Sequence, residues 1–296
     1  MSRLIGAHMP TSGGLAKAVT KGKEIGCTAV QVFTSSPQQW KAKAITEDVR
    51  DAFLAARKES EIDALVSHDS YLVNLAAADT ELRNKSIGAL TSELERCHAL
   101  QIPYVVSHMG AHTGAGEQNG LELLAKSARE VLANSPKSVS LAMETTAGQG
   151  TCLGYKLEHL AYVIEKNKGN SRLVVCIDTC HLFAAGYDLR TEQAYEETVQ
   201  QIQKIIGLDR VRVIHANDSL RPFNSRKDRH AHIGQGEIGE LAFRLLVNDQ
   251  RLAHAPIIVE TPDAETMHET NVGRLKSYLG SGDGKGRKRG KAARTG

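Results

Sequence analysis

Apolar positions along the chain collect into eight short runs, at residues 4–8, 29–33, 64–68, 104–108, 141–144, 174–178, 211–215 and 257–260. Runs of this length without polar alternation read as strands buried on both faces. Between them lie amphipathic stretches that predict helices over 14–25, 47–59, 80–100, 120–132, 156–167, 192–206, 239–247 and 265–278. In the third of these, Leu82, Ile87, Leu90, Leu94, Cys97 and His98 keep the three-to-four spacing of a one-sided stripe, with Asp79 and Thr80 as N-caps. Strand and helix alternate eight times, and each crossover is long enough for a helix. The α/β class and a (β/α)8 TIM barrel follow. The longest irregular segments are expected after the second, third, fourth and seventh strands.

Seven of the eight runs end in a histidine or a carboxylate: His8, His68, His108, Glu144, Asp178, His215 and Glu260. The run 29–33 has no such ending. Parallel barrel strands finish on one face, where active sites of this fold lie. All but His8 are read as converging there on a metal site. Two local motifs add to them: His181 three residues after Asp178, and Asp228 with His230 in the loop after the seventh strand. The candidate set is therefore five histidines, two aspartates and two glutamates: His68, His108, Glu144, Asp178, His181, His215, Asp228, His230 and Glu260. Zinc takes about four such ligands, so nine suit two or three ions with a bridging carboxylate. Five imidazoles disfavour oxygen-only ions such as magnesium, leaving zinc first and manganese or iron behind it.

Composition changes the picture at one end. Of 296 residues, 41% are hydrophobic, enough for a large core, and no run approaches the roughly 18 apolar residues of a membrane span. The whole chain carries +3, but residues 281–296 hold six Lys/Arg against one Asp, which leaves −2 on residues 1–280. We read residues 1–280 as one barrel domain and 281–296 as a disordered, basic, Gly-rich tail. That tail is read as a solubilising terminus, as a salt-sensitive attraction to nucleic acid phosphates, or as a nuclear or organellar address. The first strand begins too early for a secretory signal. Five scattered cysteines without a C-x-x-C pair suit reduced thiols. The expected location is cytoplasmic, or nuclear or organellar in a eukaryote.

Four segments resemble the endonuclease IV family of zinc-dependent apurinic/apyrimidinic (AP) endonucleases: residues 68–76 (HDSYLVNLA), 178–181 (DTCH), 215–219 (HANDS) and 228–236 (DRHAHIGQG). The opening IGAH with Gly13-Gly14, and Gln39-Trp40, also resemble it, and the likeness spans residue 3 to about 279. It implies three zinc ions: one on His68, His108 and Glu144; one on Glu144, Asp178, His215 and Glu260; one on His181, Asp228 and His230. It further implies cleavage 5′ to an abasic sugar in double-stranded DNA, giving 3′-hydroxyl and 5′-deoxyribose phosphate ends, with trimming of blocked 3′ ends. In that chemistry the zinc pair bridged by Glu144 supplies hydroxide, the third ion meets phosphate, and Glu260 orients or deprotonates the water.

Tyr71 and Leu72 resemble the wedge the family inserts at the lesion, where a missing base makes extrusion cheap. Gln38 departs from the pattern, since the resemblance implies arginine there; lesion affinity, not chemistry, should feel the change. Arg229, with Arg221, Arg226 and Lys227, is placed to touch phosphates. His8 and His112 are read as hydrogen-bonding behind the ligands, His232 as facing away, and His98, His159, His254 and His268 as surface or packing residues. Cys180 reads as a packed thiol, and Gly234 and Gly236 as a tight turn. A monomer is expected, because a duplex must reach the loop face. Competing readings are a sugar isomerase or epimerase on the same barrel, with one or two metals on mostly carboxylate ligands, and a lesion-binding protein without turnover.

Overall fold

A computed structural model describes residues 3–280; the basic tail read at 281–296 lies outside the described residues. The eight expected barrel strands form as β1 Ile5–His8, β2 Ala29–Val32, β3 Ala64–His68, β4 Tyr104–His108, β5 Ser140–Glu144, β6 Leu173–Asp178, β7 Val211–His215 and, last in the chain, β10 Ile257–Val259. They close in the order β1-β10-β7-β6-β5-β4-β3-β2, and every neighbouring pair is parallel. Two further strands, β8 Asp218–Ser219 and β9 His230–Ala231, pair antiparallel above the barrel. Both fall in the segment after β7 that sequence pattern alone assigns to a loop.

The expected helices appear as α1 Leu15–Glu24, α2 Glu47–Ser60, α3 Thr80–Ala99, α4 Glu117–Ala133, α5 Leu157–Lys166, α7 Glu192–Ile205, α8 Glu240–Asn248 and α9 Ala264–Ser277. Helix α6, Thr179–Ala185, was not anticipated; it starts where β6 stops, with the Asp178 carboxylate accepting from the His181 N–H at 2.8 Å. Asp79 is the N-cap of α3, accepting from the Leu82 N–H. His98 is corrected: it faces solvent, bonded to Ser138, while Glu93 and Arg96 share the buried face. The segment after β5 (145–156) is also longer than that after β4 (109–116), against expectation.

Strand side chains alternate between two cores. Leu65, Val105, Leu141, Val175 and Ile214 belong to the large apolar layer under the helices. Val66, Val106, Ala142, Val174, Cys176 and Val213 form a small separate cluster inside the barrel. The period of two decides what stands above that inner cluster. Two residues beyond Val66, Val106, Ala142, Cys176 and Val213 come His68, His108, Glu144, Asp178 and His215. The same inward files that fill the barrel floor thus carry the polar residues at its mouth. Gly6 on β1 has no room for a side chain: a Cβ there would lie 1.6 Å from the Ala29 carbonyl oxygen.

Candidate metal centre

Strand register sets the first ligand neighbours. His108 is the partner of Glu144 across β4 and β5, and Asp178 the partner of His215 across β6 and β7. Glu144, wholly buried, lies at the centre. Its Oε2 is 3.2 Å from His68 Nε2 and 3.0 Å from His108 Nε2; its Oε1 is 2.9 Å from His215 Nδ1 and 3.4 Å from His181 Nδ1. One carboxylate thus links two groups of imidazoles through different oxygens. Glu260 follows β10, with Oε2 at 3.1 Å from His215 Nδ1.

Above this pair, Asp228 straddles two rings. Its Oδ2 is 3.2 Å from His181 Nε2 and its Oδ1 3.2 Å from His230 Nε2. His230 reaches that position on β9, paired to β8. The ladder is possible because the Asp218 carboxylate accepts from the Gly236 and Ile238 N–H groups, and a Cβ on Gly236 would sit 2.4 Å from the Ser219 carbonyl oxygen.

The nine expected groups are brought together. Ligand atoms of His68, His108 and Glu144 lie within 4.8 Å of one another, as do those of Glu144, Asp178, His215 and Glu260. The third set is drawn differently: Asp178 groups with His181 and His230, and Asp228 with His230 and Cys180. Burial pushes the Cys180 thiol up to about 12, which keeps it protonated and suits a packed residue.

Three imidazoles are oriented by backbone. Nδ1 of His68, His181 and His230 lies 2.9, 2.8 and 3.1 Å from the carbonyl oxygens of Asp69, Thr145 and Glu260. A carbonyl only accepts, so each Nδ1 carries a proton and each Nε2 is turned to the centre. His230 Nε2 is buried without a hydrogen-bond partner despite its nearness to Asp228. Ring and carboxylate therefore aim at a shared point rather than at each other, which fits a cation between them.

The charges agree. Burial alone would raise Glu144, yet His108 and His215 hold it well below the usual carboxylate range. Burial likewise opposes charge on His68 and His230, but Glu144 and Asp178 respectively bring both to about 9. Glu260 is held low by His215 against its own burial. Carboxylates this closely packed favour positive charge among them.

The centre floors a cavity of about 360 Å³ lined by His68, His108, His181, Asp228, His230 and Glu260, among others. Tyr71, 64% exposed, borders both this cavity and a second of about 250 Å³, with its ring edge-on to Phe33. Leu72 beside it is half-buried; Gln38 and Arg229 are exposed, and the Arg229 guanidinium donates to the Asp228 carbonyl at 2.6 Å. Arg226 stacks on Tyr155 at 4.2 Å. His8 Nδ1 lies 3.1 Å from Glu260 Oε1, behind the ligands as expected, while His112 accepts from the Gly116 N–H in its own loop. His159 and His268 are buried, and His232 turns to Asn271.

Two residues were missed. Asn217 donates to Asp178 Oδ2 at 2.7 Å and accepts from the Glu260 backbone N–H at 2.8 Å, tying the Asp178 carboxylate to the backbone that carries Glu260. Gln31, wholly buried on β2, contacts His8, His215 and Glu260. Its signal was a polar residue on the inward file of an otherwise apolar run.

Comparison with known proteins identifies the lineage. The family profile described as "Xylose isomerase-like TIM barrel", that of AP endonuclease family 2, matches residues 19–278. "Probable endonuclease 4" of Chloroflexus aggregans is 50% identical over 277 residues, 93% of this chain and 97% of that protein. "Probable endonuclease 4" of Geotalea daltonii is 43% identical over 282 residues, 94% and 99% of the two chains. The crystal structure of endonuclease IV from Thermus thermophilus superposes with a TM-score of 0.82 at 35% identity, covering 93% of this chain and 98% of that one. A D-tagatose 3-epimerase-like protein, at 19% identity and a TM-score of 0.70, shares the fold alone. With its closed parallel barrel and the imidazole–carboxylate cluster at the mouth, the chain belongs to the endonuclease IV family.

Proposed function

We propose that this protein is a zinc-dependent AP endonuclease of DNA repair, hydrolysing the phosphodiester 5′ to abasic sites in duplex DNA. The products would be 3′-hydroxyl and 5′-deoxyribose phosphate ends, and the same centre would trim blocked 3′ ends. The observation that carries this reading is nine imidazole and carboxylate groups, with Glu144 at their centre, gathered at and beneath the cavity floor. A donor set of five imidazoles and four carboxylates suits zinc. His68, His108 and Glu144 would hold one ion, Glu144, Asp178, His215 and Glu260 a second, and His181, Asp228 and His230 a third. When bound, the ions would supply a water ionised near neutral pH and positive charge against the phosphate and the leaving 3′-oxygen.

The chain's own groups do the rest. Glu144 faces two sets of imidazoles through its two oxygens and so suits a bridging role. Glu260, held low and turned inward, can orient the attacking water or take its proton. Tyr71, exposed at the rim of the cavity, and Leu72 would form the wedge that enters a duplex, and an abasic nucleotide gives up no base stacking when it leaves the helix. Gln38 and Arg229 would meet the DNA backbone. The enzyme would act as a monomer, inside the cell, on double-stranded DNA.

The test incubates the protein with a duplex carrying one tetrahydrofuran abasic analogue, with and without a chelator, beside metal analysis. Nicking 5′ to the analogue, abolished by chelation, with about three zinc ions per chain, is expected. Binding without nicking, or one manganese per chain, would overturn the proposal.

A further inference from the structure

The ligand imidazoles are not all oriented by the same means. His68, His181 and His230 each direct Nδ1 at a backbone carbonyl, which no substitution can remove. His215 does the reverse. Its Nδ1 faces the carboxylates of Glu144 and Glu260, and its Nε2 meets the side-chain oxygen of Gln31 at 2.8 Å. The orientation of this one ring depends on a side chain from the opposite part of the barrel.

Gln31's own orientation is dictated by Glu260. The amide nitrogen lies 2.5 Å from Glu260 Oε1 and 2.9 Å from His8 Nδ1. An ionised carboxylate only accepts, so a flipped amide would set two acceptor oxygens against each other at that distance. The nitrogen must face Glu260, and the oxygen must then face His215. An amide oxygen also only accepts, so His215 Nε2 must carry a proton. In the neutral ring Nδ1 is then the lone pair, aimed between Glu144 and Glu260. The same amide occupies Glu260 Oε1, leaving Oε2 turned toward His215. Gln31 is wholly buried and the register partner of His8, so its amide is held among these groups and away from water.

We infer that Gln31 is a positioning residue for one metal ion, committing His215 to the Nε2–H tautomer and Glu260 to a single carboxylate orientation. This rests on the metal centre proposed above. Supporting groups behind metal ligands influence affinity by about 10–100-fold, and here one buried amide supports two ligands of the same set.

The experiment titrates chelator-stripped wild type, Gln31→Leu and Gln31→Met with zinc against a chromophoric chelator, and compares thermal midpoints of the metal-free forms. One of the zinc sites should weaken about 10–100-fold in both variants, the others should keep wild-type affinity, and the metal-free midpoints should not fall. Nitrogen-15 spectra of histidine-labelled, zinc-loaded wild type should show one ring bound through Nδ1, its Nε2–H lost or exchange-broadened in the variants. A purely structural role would instead weaken all sites and lower the metal-free midpoint together, and that overturns the inference. So does unchanged zinc affinity at every site in both variants. Failure of wild type itself to take up zinc would be seen before any variant is made; it overturns the metal-centre reading and this inference with it.

Discussion

Two buried glutamates in this barrel are satisfied in opposite ways. Glu93, on the inner face of α3, accepts hydrogen bonds from Thr34 Oγ1 at 2.8 and 2.7 Å, Ser67 Oγ at 2.6 Å and Cys97 Sγ at 3.6 Å, with Arg96 Nε at 3.8 Å. Hydroxyls, a thiol and a guanidinium each keep a proton to donate at neutral pH, so the carboxylate is met by the protein itself. Glu144 is surrounded by imidazoles, which donate or accept according to what else is bound. A buried carboxylate among permanent donors is structural; one among switchable donors, beside further carboxylates, is built to share a cation.

The largest expected effect is on the switchable side. Glu144→Ala and His230→Ala should each lower nicking of an abasic duplex by about three orders of magnitude or more, judged by losses seen when groups acting as a unit are removed. Part of the DNA binding should survive, since the phosphate contacts proposed for Gln38 and Arg229 lie outside the centre. Gel assays of cleavage and retardation on the same samples check this. Wild-type rates in either variant would erase the distinction between the two glutamates.

Metal removal should act on stability as well. Ions bound only by the folded chain stabilise it by about 4 kcal/mol at a thousandfold excess over their dissociation constant. Chelation should therefore lower the thermal midpoint of wild type and of Glu93→Gln by the same amount, and that of Glu144→Ala by much less. The stripped protein should also respond to pH. His68 and His230 sit at about 9, above the ordinary 6.5 of a free imidazole. Their protonation thus stabilises the metal-free fold fully below 6.5, and the gain is lost as pH rises through 9. Melting curves between these values should fall for stripped protein and stay nearly flat for zinc-loaded protein.

On the structural side the effect is smaller and falls on stability rather than on the metal centre. Glu93→Ala leaves Arg96 buried without its carboxylate and should cost about 3 kcal/mol by denaturant unfolding. Metal content should be unchanged.

How far each glutamate could be read from sequence differs for a physical reason. Glu144 ends an apolar run, and the period of two places it directly above Ala142 on an inward file, so barrel and ligands emerge from one pattern. Gln31 obeys the same period but lies mid-run, where a single polar residue looks like a tolerated exception. Glu93 and Arg96 sit on a helix whose apolar stripe also admits His98, and nothing in helical spacing marks which polar neighbour turns inward. Helix α6 follows β6 without a gap, its cap Asp178 doubling as a strand-end ligand, and β8 and β9 are too short to show any periodicity. Local patterns reveal what repeats; long-range polar partnerships such as Gln31 with His215 and Thr34 with Glu93 do not repeat.

The smallest effect joins the two regions. Arg96 donates to the carbonyl oxygens of Thr34 and Lys43, which bracket the segment carrying exposed Gln38. The permanent network around Glu93 thus clamps a loop on the same face as the metal centre. Gln38→Arg adds one cation to that loop and should tighten binding of an abasic duplex a few-fold, steepening the salt dependence by about one phosphate contact. Cleavage at saturating DNA should not change, because the cation is outside the centre. In a Glu93→Ala background the clamp is weakened, and the gain from Gln38→Arg should shrink. Salt-series binding curves for the two single variants and the double variant measure that coupling. Full additivity would mean that the Glu93 network holds the helix alone and has no part in presenting the loop to DNA.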